Sequence, residues 1–586
     1  MTNVTDRKKL AQMPWYPHYP RQIRSALENY NLPEVPLYRL LESSANYYPQ
    51  STAVVYEPAN FIVSYADLYR LCGWFSAGLI HQFGVSKGDR VAIYSRNYPE
   101  FLIAMYGILM AGATYVACNP LLLKHEVEYQ MSDAGCRLAI ISDDHLPVLK
   151  EILKDNSTRL SQVIVFSRDA GLKAKYLGGI STPTEPPFYP FMETFCDSPF
   201  ESPHIDPKSD LAAVIYTAGT TGQPKGVMVS HYNAVSSSIL YYSAYTGKFP
   251  ELAEDGTLIC RNHKEDLTGH WEYPMRYGID SALAAAPWTH MMGFIAHLNS
   301  SIMAAVTIFP LPDFKVDKFL DLIRKWKISF AGGAPQMMSM LLSMQDIDEQ
   351  DLSSIRVWTT GGAPCPVAVG TAFEERIGGI ITEGYSLTEA VMSSTKNPAN
   401  RSAKRKWGSI GIPLPFTEVK IVDPETGTQE MPMGEDGELI HNGPQVAVGY
   451  LNRPEESRQT FKNGWVFTGD LARMDEEGYI FITGRLKDII IYKGYNIAPR
   501  MLEEVIYQLP GVFQCAVVGK KDEVAGEIPV AFVSLKEGIT ITESEIMDFV
   551  NQRVAGYKKV RKVIILDQLP VSGFGKLMKG ELKKLL

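Results

Sequence analysis

Between about residue 36 and residue 330 the chain alternates helix-period apolar stretches with short Val/Ile-rich runs. Among these runs are Arg90-Val-Ala-Ile-Tyr94, Leu138-Ala-Ile-Ile141 and Gln162-Val-Ile-Val-Phe166. That rhythm predicts α/β architecture around a largely parallel sheet. From Leu414 to Tyr450 it gives way to alternating strands and Gly/Pro turns, so a β-rich subdomain is expected over about 412–483. A further shift follows Gly484-Arg-Leu-Lys-Asp488, after which 489–586 reads as a compact mixture of strand and helix. A chain of 586 residues is too long for one core, so two or more domains are expected.

Within the α/β region, the apolar run Leu211-Ala-Ala-Val-Ile-Tyr216 opens directly onto Thr217-Ala-Gly-Thr-Thr-Gly-Gln-Pro-Lys-Gly226. The first reads as a buried strand and the second as the loop it delivers. Backbone N–H groups of a Gly-rich turn can converge on an anion, hydroxyls add donors, and Lys225 supplies a compact positive charge. Composition alone would equally suit a surface turn. A P-loop NTPase is excluded, because its Gly-Lys pair is followed by Ser or Thr, whereas Lys225 lies between Pro224 and Gly226.

The ten residues resemble the phosphate loop of the adenylate-forming superfamily: acyl-CoA synthetases, luciferases and peptide-synthetase adenylation domains. Ala218 stands where that family has Ser or Gly. The resemblance implies nucleotide contacts from Thr217, Ala218, Gly219, Thr220, Thr221, Gly222 and Lys225, with Thr221 also near Mg²⁺. Four more elements follow in the family's order. Gly361-Gly-Ala363, in a turn ending at Pro364, would border adenine. Gly384-Tyr-Ser-Leu-Thr-Glu389, with Glu383 before it, would supply Tyr385 to stack the base and Thr388 to the α-phosphate. In it Glu389 would ligate Mg²⁺, while Glu383, Gly384 and Ser386 line the nucleotide. The same segment could be an ordinary loop before a helix, capped by Thr388 and Glu389. Asp470, closing Trp465-Val-Phe-Thr-Gly-Asp470, matches the ribose-binding aspartate, and Arg485 a nucleotide contact. Lys576, in Leu569-Pro-Val-Ser-Gly-Phe-Gly-Lys576, matches the catalytic lysine, with Thr388 and Glu389 as its partners in catalysis.

The resemblance runs from about residue 38 to the C-terminus and fills in the fold. It implies a large N-terminal domain over 1–483, made of two α/β subdomains and the β-rich one, and a small mobile α+β lid over 489–586. Between them 484–488 is a hinge, with Lys487 as its pivot. The expected chemistry is ATP-dependent activation of a carboxylic acid as an acyl-adenylate, followed by transfer to the thiol of coenzyme A. Lys493, Gly494 and Tyr495 would line the thiol's entry. The Pro287–Asn299 block resembles the acyl-pocket motif, with His290, Met291, Gly293 and Phe294 as candidate substrate contacts. It carries no acidic residue to hold an amino acid's ammonium, which implies an acid with an uncharged, hydrophobic body, a medium- or long-chain fatty acid before an aryl acid. A ligase loading a carrier protein and a luciferase-like monooxygenase remain alternatives.

The net charge of −8 gives no support for nucleic-acid binding. Seven cysteines without paired short spacings suit free thiols and a cytoplasmic setting, as does a polar N-terminus. Phe101–Cys118 is uncharged over eighteen residues, yet its glycines and the following Asn119-Pro120 mark a buried helix running into a buried strand, not a membrane span. Leu121, Leu122 and Leu123 leave peripheral membrane contact open, and a dimer is equally open. Thr246–Asp280, polar and turn-rich, is expected as a surface insertion; Cys260, His263 and His270 in it fit no standard zinc spacing.

Overall fold

Leu211–Tyr216 is a strand near the middle of an eight-stranded sheet, and its neighbours show how the chain is organised. In this computed structural model, which describes residues 10–155, 158–168, 186–198, 201–217, 223–571 and 577–586, it pairs in parallel with Thr114–Cys118. Arg90–Tyr94, Leu138–Ser142, Gln162–Phe166 and Phe188–Pro190 continue the parallel array. On the other side Gly226–Ser230 and then Gly449–Tyr450 add antiparallel strands.

A second sheet of nine strands holds a parallel set of Thr52–Tyr56, Thr307–Pro310, Ser281–Ala284, Phe330–Gly333, Val357–Thr360 and Ile380–Leu387. Antiparallel Met392–Lys396 and Ile412–Pro413 extend it past Ile380–Leu387. A third, antiparallel sheet carries Glu418–Val422, Gly437–Asn442, Trp465–Met474 and Ile480–Arg485. After Asp488 comes a separate five-stranded sheet built on the long hairpin Val512–Asp522/Gly526–Leu535, with its own apolar core.

The main core is continuous across the first two sheets and the helices between them. Every residue of helix Pro99–Met110 and of strand Thr114–Cys118 is buried, so the uncharged stretch is protein interior. Among the described residues, no helix is long and apolar enough to cross a membrane. Leu121 and Leu123 are exposed, at 54% and 65%, while Leu122 is half-buried. All seven cysteines are free thiols.

The Thr246–Asp280 segment departs from a simple surface insertion. Its hairpin Glu251–Leu252/Leu258–Ile259 is seated on helix Arg39–Tyr47: the Leu258 N–H donates to Ser43 Oγ at 2.8 Å, and Tyr48 Oη to the Cys260 carbonyl at 2.7 Å. Cys260, Tyr273, Met275 and Tyr277 are buried beneath it. The polar composition conceals a tyrosine-lined inner face, because each phenol buries a ring while its hydroxyl finds a partner.

One buried side chain ties the two large sheets together beside the Pro287–Asn299 block. Asn97, just past strand Arg90–Tyr94, donates through Nδ2 to the carbonyls of Ala284 (3.1 Å) and Ala286 (2.9 Å), and its Oδ1 accepts from the Trp288 N–H (2.9 Å). Asn97→Ala strands three backbone groups in the interior. It should lower stability by about 3 kcal/mol, read as a drop of several degrees in thermal midpoint, where an exposed Asn→Ala changes little.

Candidate active site

The Gly-rich loop joins two antiparallel strands, not a strand to a helix. Its ends are pinned where the Thr217 N–H donates to the Lys225 carbonyl at 2.9 Å, directly beyond the Tyr216/Gly226 pair. Ala218, Gly219, Thr220, Thr221 and Gly222 lie outside the described residues. The loop is braced from helix Lys124–Asp133, whose Tyr129 Oη donates to the Pro224 carbonyl and whose Asp133 accepts from Tyr216 Oη, each at 2.9 Å.

The Lys225 ammonium rests over the ring of Tyr450, 4.9 Å from its centroid. The hydroxyl of that same ring donates to Glu389 Oε1 at 2.6 Å. Burial, then the Glu389 carboxylate, push the Tyr450 phenol far above its ordinary pKa, which keeps the proton on the tyrosine. Tyr450 reaches this place because its short strand pairs with Gly226–Ser230, in register with Val227. One ring thus links the loop's lysine to the carboxylate of the Gly384–Glu389 element. Glu389 Oε2 has no hydrogen-bond donor among the described residues.

Gly384–Leu387 completes a strand rather than forming a loop before a helix, and Thr388–Ala390 makes a single tight turn. Thr388 and Glu389 are half-buried there. Ser386 sits at an irregularity in the pairing with Met392–Lys396, and Val391 and Met392 take φ of 42° and 89°. Left-handed backbone is a strained conformation for a β-branched residue such as Val391, and strain of this kind collects at functional sites. Gly361 lies against this strand: a Cβ on it would be 3.1 Å from the Gly384 carbonyl oxygen. Gly362, at φ 79°, completes the turn with Ala363. The turn is latched by Glu383, whose Oε1 accepts from the Cys365 N–H at 3.0 Å.

Tyr385, Asp470 and Arg485 meet. Asp470, 4% exposed, accepts from Arg485 Nε on Oδ1 and from Tyr385 Oη on Oδ2, both at 2.5 Å. Trp465–Met474 and Ile480–Arg485 pair so that Asp470 and Arg485 are cross-strand partners. In this arrangement the Tyr385 hydroxyl and Arg485 are both committed to one carboxylate. Lys487 follows within Leu486–Asp488; burial, with Arg485 beside it, draws its ammonium pKa down.

The Lys493-Gly494 pair, at φ 49° and 82°, turns the Ile490–Tyr492/Tyr495–Ile497 hairpin. Its partners, Tyr557 stacked on Tyr495 at 4.7 Å, Arg561 over Tyr492 and the Ala525 carbonyl, all belong to the C-terminal segment. Lys576 lies outside the described residues; on either side of it Val571 and Leu577 form an antiparallel bridge.

The Pro287–Asn299 block folds into a π-helix over Gly293–Asn299, a geometry that a 3.6-residue periodicity does not reveal. Gly293 permits it, since a Cβ there would fall 2.0 Å from the Pro287 carbonyl oxygen. Asn299 Nδ2 donates to the Phe294 carbonyl and its Oδ1 accepts from Tyr106 Oη, both at 2.7 Å. Met291 and Phe294 are buried in the main core, and the half-buried His290 accepts the Met292 N–H on Nδ1. His297, fully buried, accepts the Ala286 N–H on Nδ1, and burial pulls its pKa down to about 4.

Reading the sequence missed Tyr450, Cys365 and Arg500. Gly449-Tyr450 carries no more than two residues of strand signal, and the electrostatic pull of Arg500 on Glu383 is a long-range effect no local pattern records.

Comparison with known proteins gives the family of the chain. The AMP-binding enzyme family model matches residues 41–451, and that of the AMP-binding enzyme C-terminal domain matches 501–576. Among similar proteins is a long-chain-fatty-acid–CoA ligase of Bacillus subtilis (strain 168), 33% identical, with 98% of each chain covered. Another is a 4-coumarate–CoA ligase of Nicotiana tabacum, 30% identical over 89% of each chain. Among solved structures, ATP-bound MatB from Rhodopseudomonas palustris superposes with a TM-score of 0.79 at 27% identity, over 94% of this chain and 99% of that one.

Glu383 yields a pH prediction. Burial raises its carboxyl pKa from 4.5 to about 7 against the pull of Arg500, with Glu504 adding a smaller push upward. Between those values the folded chain holds a proton that the unfolded chain has released, so the stability this group contributes is full below about pH 4.5 and is lost as pH rises through 7. Glu383→Gln should remove that loss. The variant's gain over the parent should grow by about 3 kcal/mol between about pH 4.5 and pH 8 in denaturant melts; a pH-independent difference would contradict the assignment.

Proposed function

The chain belongs to the AMP-binding enzyme family, and we propose that it joins a medium- or long-chain carboxylic acid to coenzyme A through an acyl-adenylate. The observation that carries this reading is that Lys225, Tyr450 and Glu389 meet just past the end of strand Ile380–Leu387, whose Tyr385 meets Asp470 and Arg485. This reading gives phosphate chemistry to the first group and nucleoside recognition to the second. The fatty-acid preference draws on the Bacillus subtilis relative and on the apolar Pro287–Asn299 block; an aryl acid is the second reading, drawn from the Nicotiana tabacum one.

A carboxylate is a poor acyl donor because its charge and resonance resist attack. Its oxygen attacks the α-phosphorus of ATP, pyrophosphate departs in line, and the mixed anhydride carries AMP as a good leaving group. Catalysis of such a step is largely positioning and charge neutralisation. Lys225 faces the phosphates from the hairpin loop, Thr388 offers a hydroxyl to the α-phosphate, and Asp470 receives the ribose hydroxyls on lone pairs left by Arg485 and Tyr385. Mg²⁺, which takes one or two carboxylates and keeps several waters, would neutralise phosphate charge. Glu389 suits it, since Tyr450 orients one oxygen and the other has no donor among the described residues. In the second step the thiol of coenzyme A attacks the acyl carbon and AMP leaves. For that step the C-terminal segment turns about Lys487, withdrawing Lys576 and presenting Lys493–Tyr495.

Incubation with ATP, Mg²⁺, coenzyme A and a fatty-acid panel should release AMP and pyrophosphate and yield acyl-CoA; acid-independent turnover, or none with any acid, would end the proposal. Lys576→Ala should slow acyl-AMP formation by about 100-fold or more while sparing thioester formation from pre-made acyl-AMP. Equal loss of both steps would count against the turning lid. Tyr450→Phe keeps the ring beneath Lys225 but drops the hydroxyl bond to Glu389. It should raise the Mg²⁺ concentration for half-maximal AMP release about tenfold with little change in thermal midpoint.

A further inference from the structure

Lys396 is 3% exposed, deep between the second sheet and helix His231–Thr246. Its ammonium donates to a neutral group, Thr359 Oγ1, at 2.8 Å and lies over the rings of Tyr241 (4.9 Å) and Tyr245 (5.0 Å). It enters no ion pair among the described residues. A buried ammonium with one neutral acceptor and two π faces is incompletely compensated, since such charges ordinarily find a counter-charge.

The place of this cation is informative. Lys396 is the cross-strand partner of Gly384, and its side chain runs over that glycine, with Cγ and Nζ each 3.5 Å from where a Cβ would stand. Thr388, the residue proposed to face the reacting phosphate, is four positions further along, about 13 Å at strand rise. Toward the acyl block, the Tyr245 ring meets Phe330 edge-on at 5.7 Å, and Phe330 meets His297 of the π-helix edge-on at 6.1 Å. Among the described residues, His297 Nε2 is also buried without a partner.

We propose that Lys396 is the far anchor of the acid subsite, its ammonium receiving the second carboxylate of an α,ω-dicarboxylic acid whose first carboxylate is activated. This rests on the ligase reading above and sharpens it. The uncharged acid body inferred from Pro287–Asn299 concerns the middle of the substrate, whereas the cation comes from a different strand and meets its end. An apolar chain between two carboxylates satisfies both: methylenes against Met291, Phe294 and Phe330, and a counter-ion for Lys396.

The test pairs each monocarboxylic acid with the α,ω-dicarboxylic acid of the same length, short to long, and reads acid-dependent AMP release and kcat/KM. The parent enzyme should prefer the diacid at some medium length by about 100-fold, the scale of a buried charge-assisted contact. Lys396→Met, similar in length and uncharged, should abolish that preference through KM for the diacid while leaving monoacid turnover unchanged or improved. Monoacids turned over by the parent with no diacid preferred at any length would overturn this inference alone, and so would a Lys396→Met variant that slows both classes equally. No turnover with any acid would overturn the ligase reading and the inference with it. Should Lys396→Met fail to fold, the parent panel still decides.

Discussion

A single phenol holds together the half of this site that carries Lys225 and Glu389. Tyr450 carries an ammonium on its face and a carboxylate on its hydroxyl, so opposite charges from two different sheets are held near each other without neutralising one another directly. A direct Lys225–Glu389 ion pair would consume both groups, whereas the function proposed above, with a polyphosphate and a divalent cation, needs the cationic and the anionic halves available. The interposed ring sets their spacing. Its position follows from the first sheet, because the antiparallel pairing of Gly449–Tyr450 with Gly226–Ser230 leaves that ring beside the strand that ends the Gly-rich loop.

A comparable economy governs the nucleoside side. Asp470 is nearly buried, and a lone carboxylate there would be poorly tolerated; Arg485 and Tyr385 satisfy it from the neighbouring strand and the neighbouring sheet. The pair Asp470/Arg485 is a register fact of two hairpin-linked strands, and Arg485 is also the last residue before the connector at Leu486–Asp488. Any turning of the C-terminal segment therefore begins next to a fixed ionic contact.

The parts of this structure that local chemistry dictates could be read from the chain: the parallel strands at Arg90–Tyr94, Leu138–Ser142 and Gln162–Phe166, the buried Phe101–Cys118 stretch, and the strand that delivers the Gly-rich loop. Gly384–Leu387 proved to be strand, because its partner Met392–Lys396 lies just beyond a tight turn whose left-handed Val391 no propensity would suggest. Tyr450, Cys365 and Arg500 were invisible for a different reason: each acts on a residue far away in sequence, and only the folded chain makes the introduction. The Thr246–Asp280 segment misled through its average polarity, since four inward-facing residues outweigh a composition that is polar overall.

The seven-residue π-helix at Gly293–Asn299 carries a wider implication. Relative to an α-helix it accommodates a surplus residue, so a one-residue deletion in this segment could be absorbed by tightening the coil while the flanking strand and helix stay where they are. The same deletion would rotate His297 and its neighbours around the axis and change which side chains this block presents to its surroundings. With the acid-contacting role proposed for this block, that is an inexpensive route to altered selectivity: a change of length by a single codon, with no redesign of the surrounding sheets.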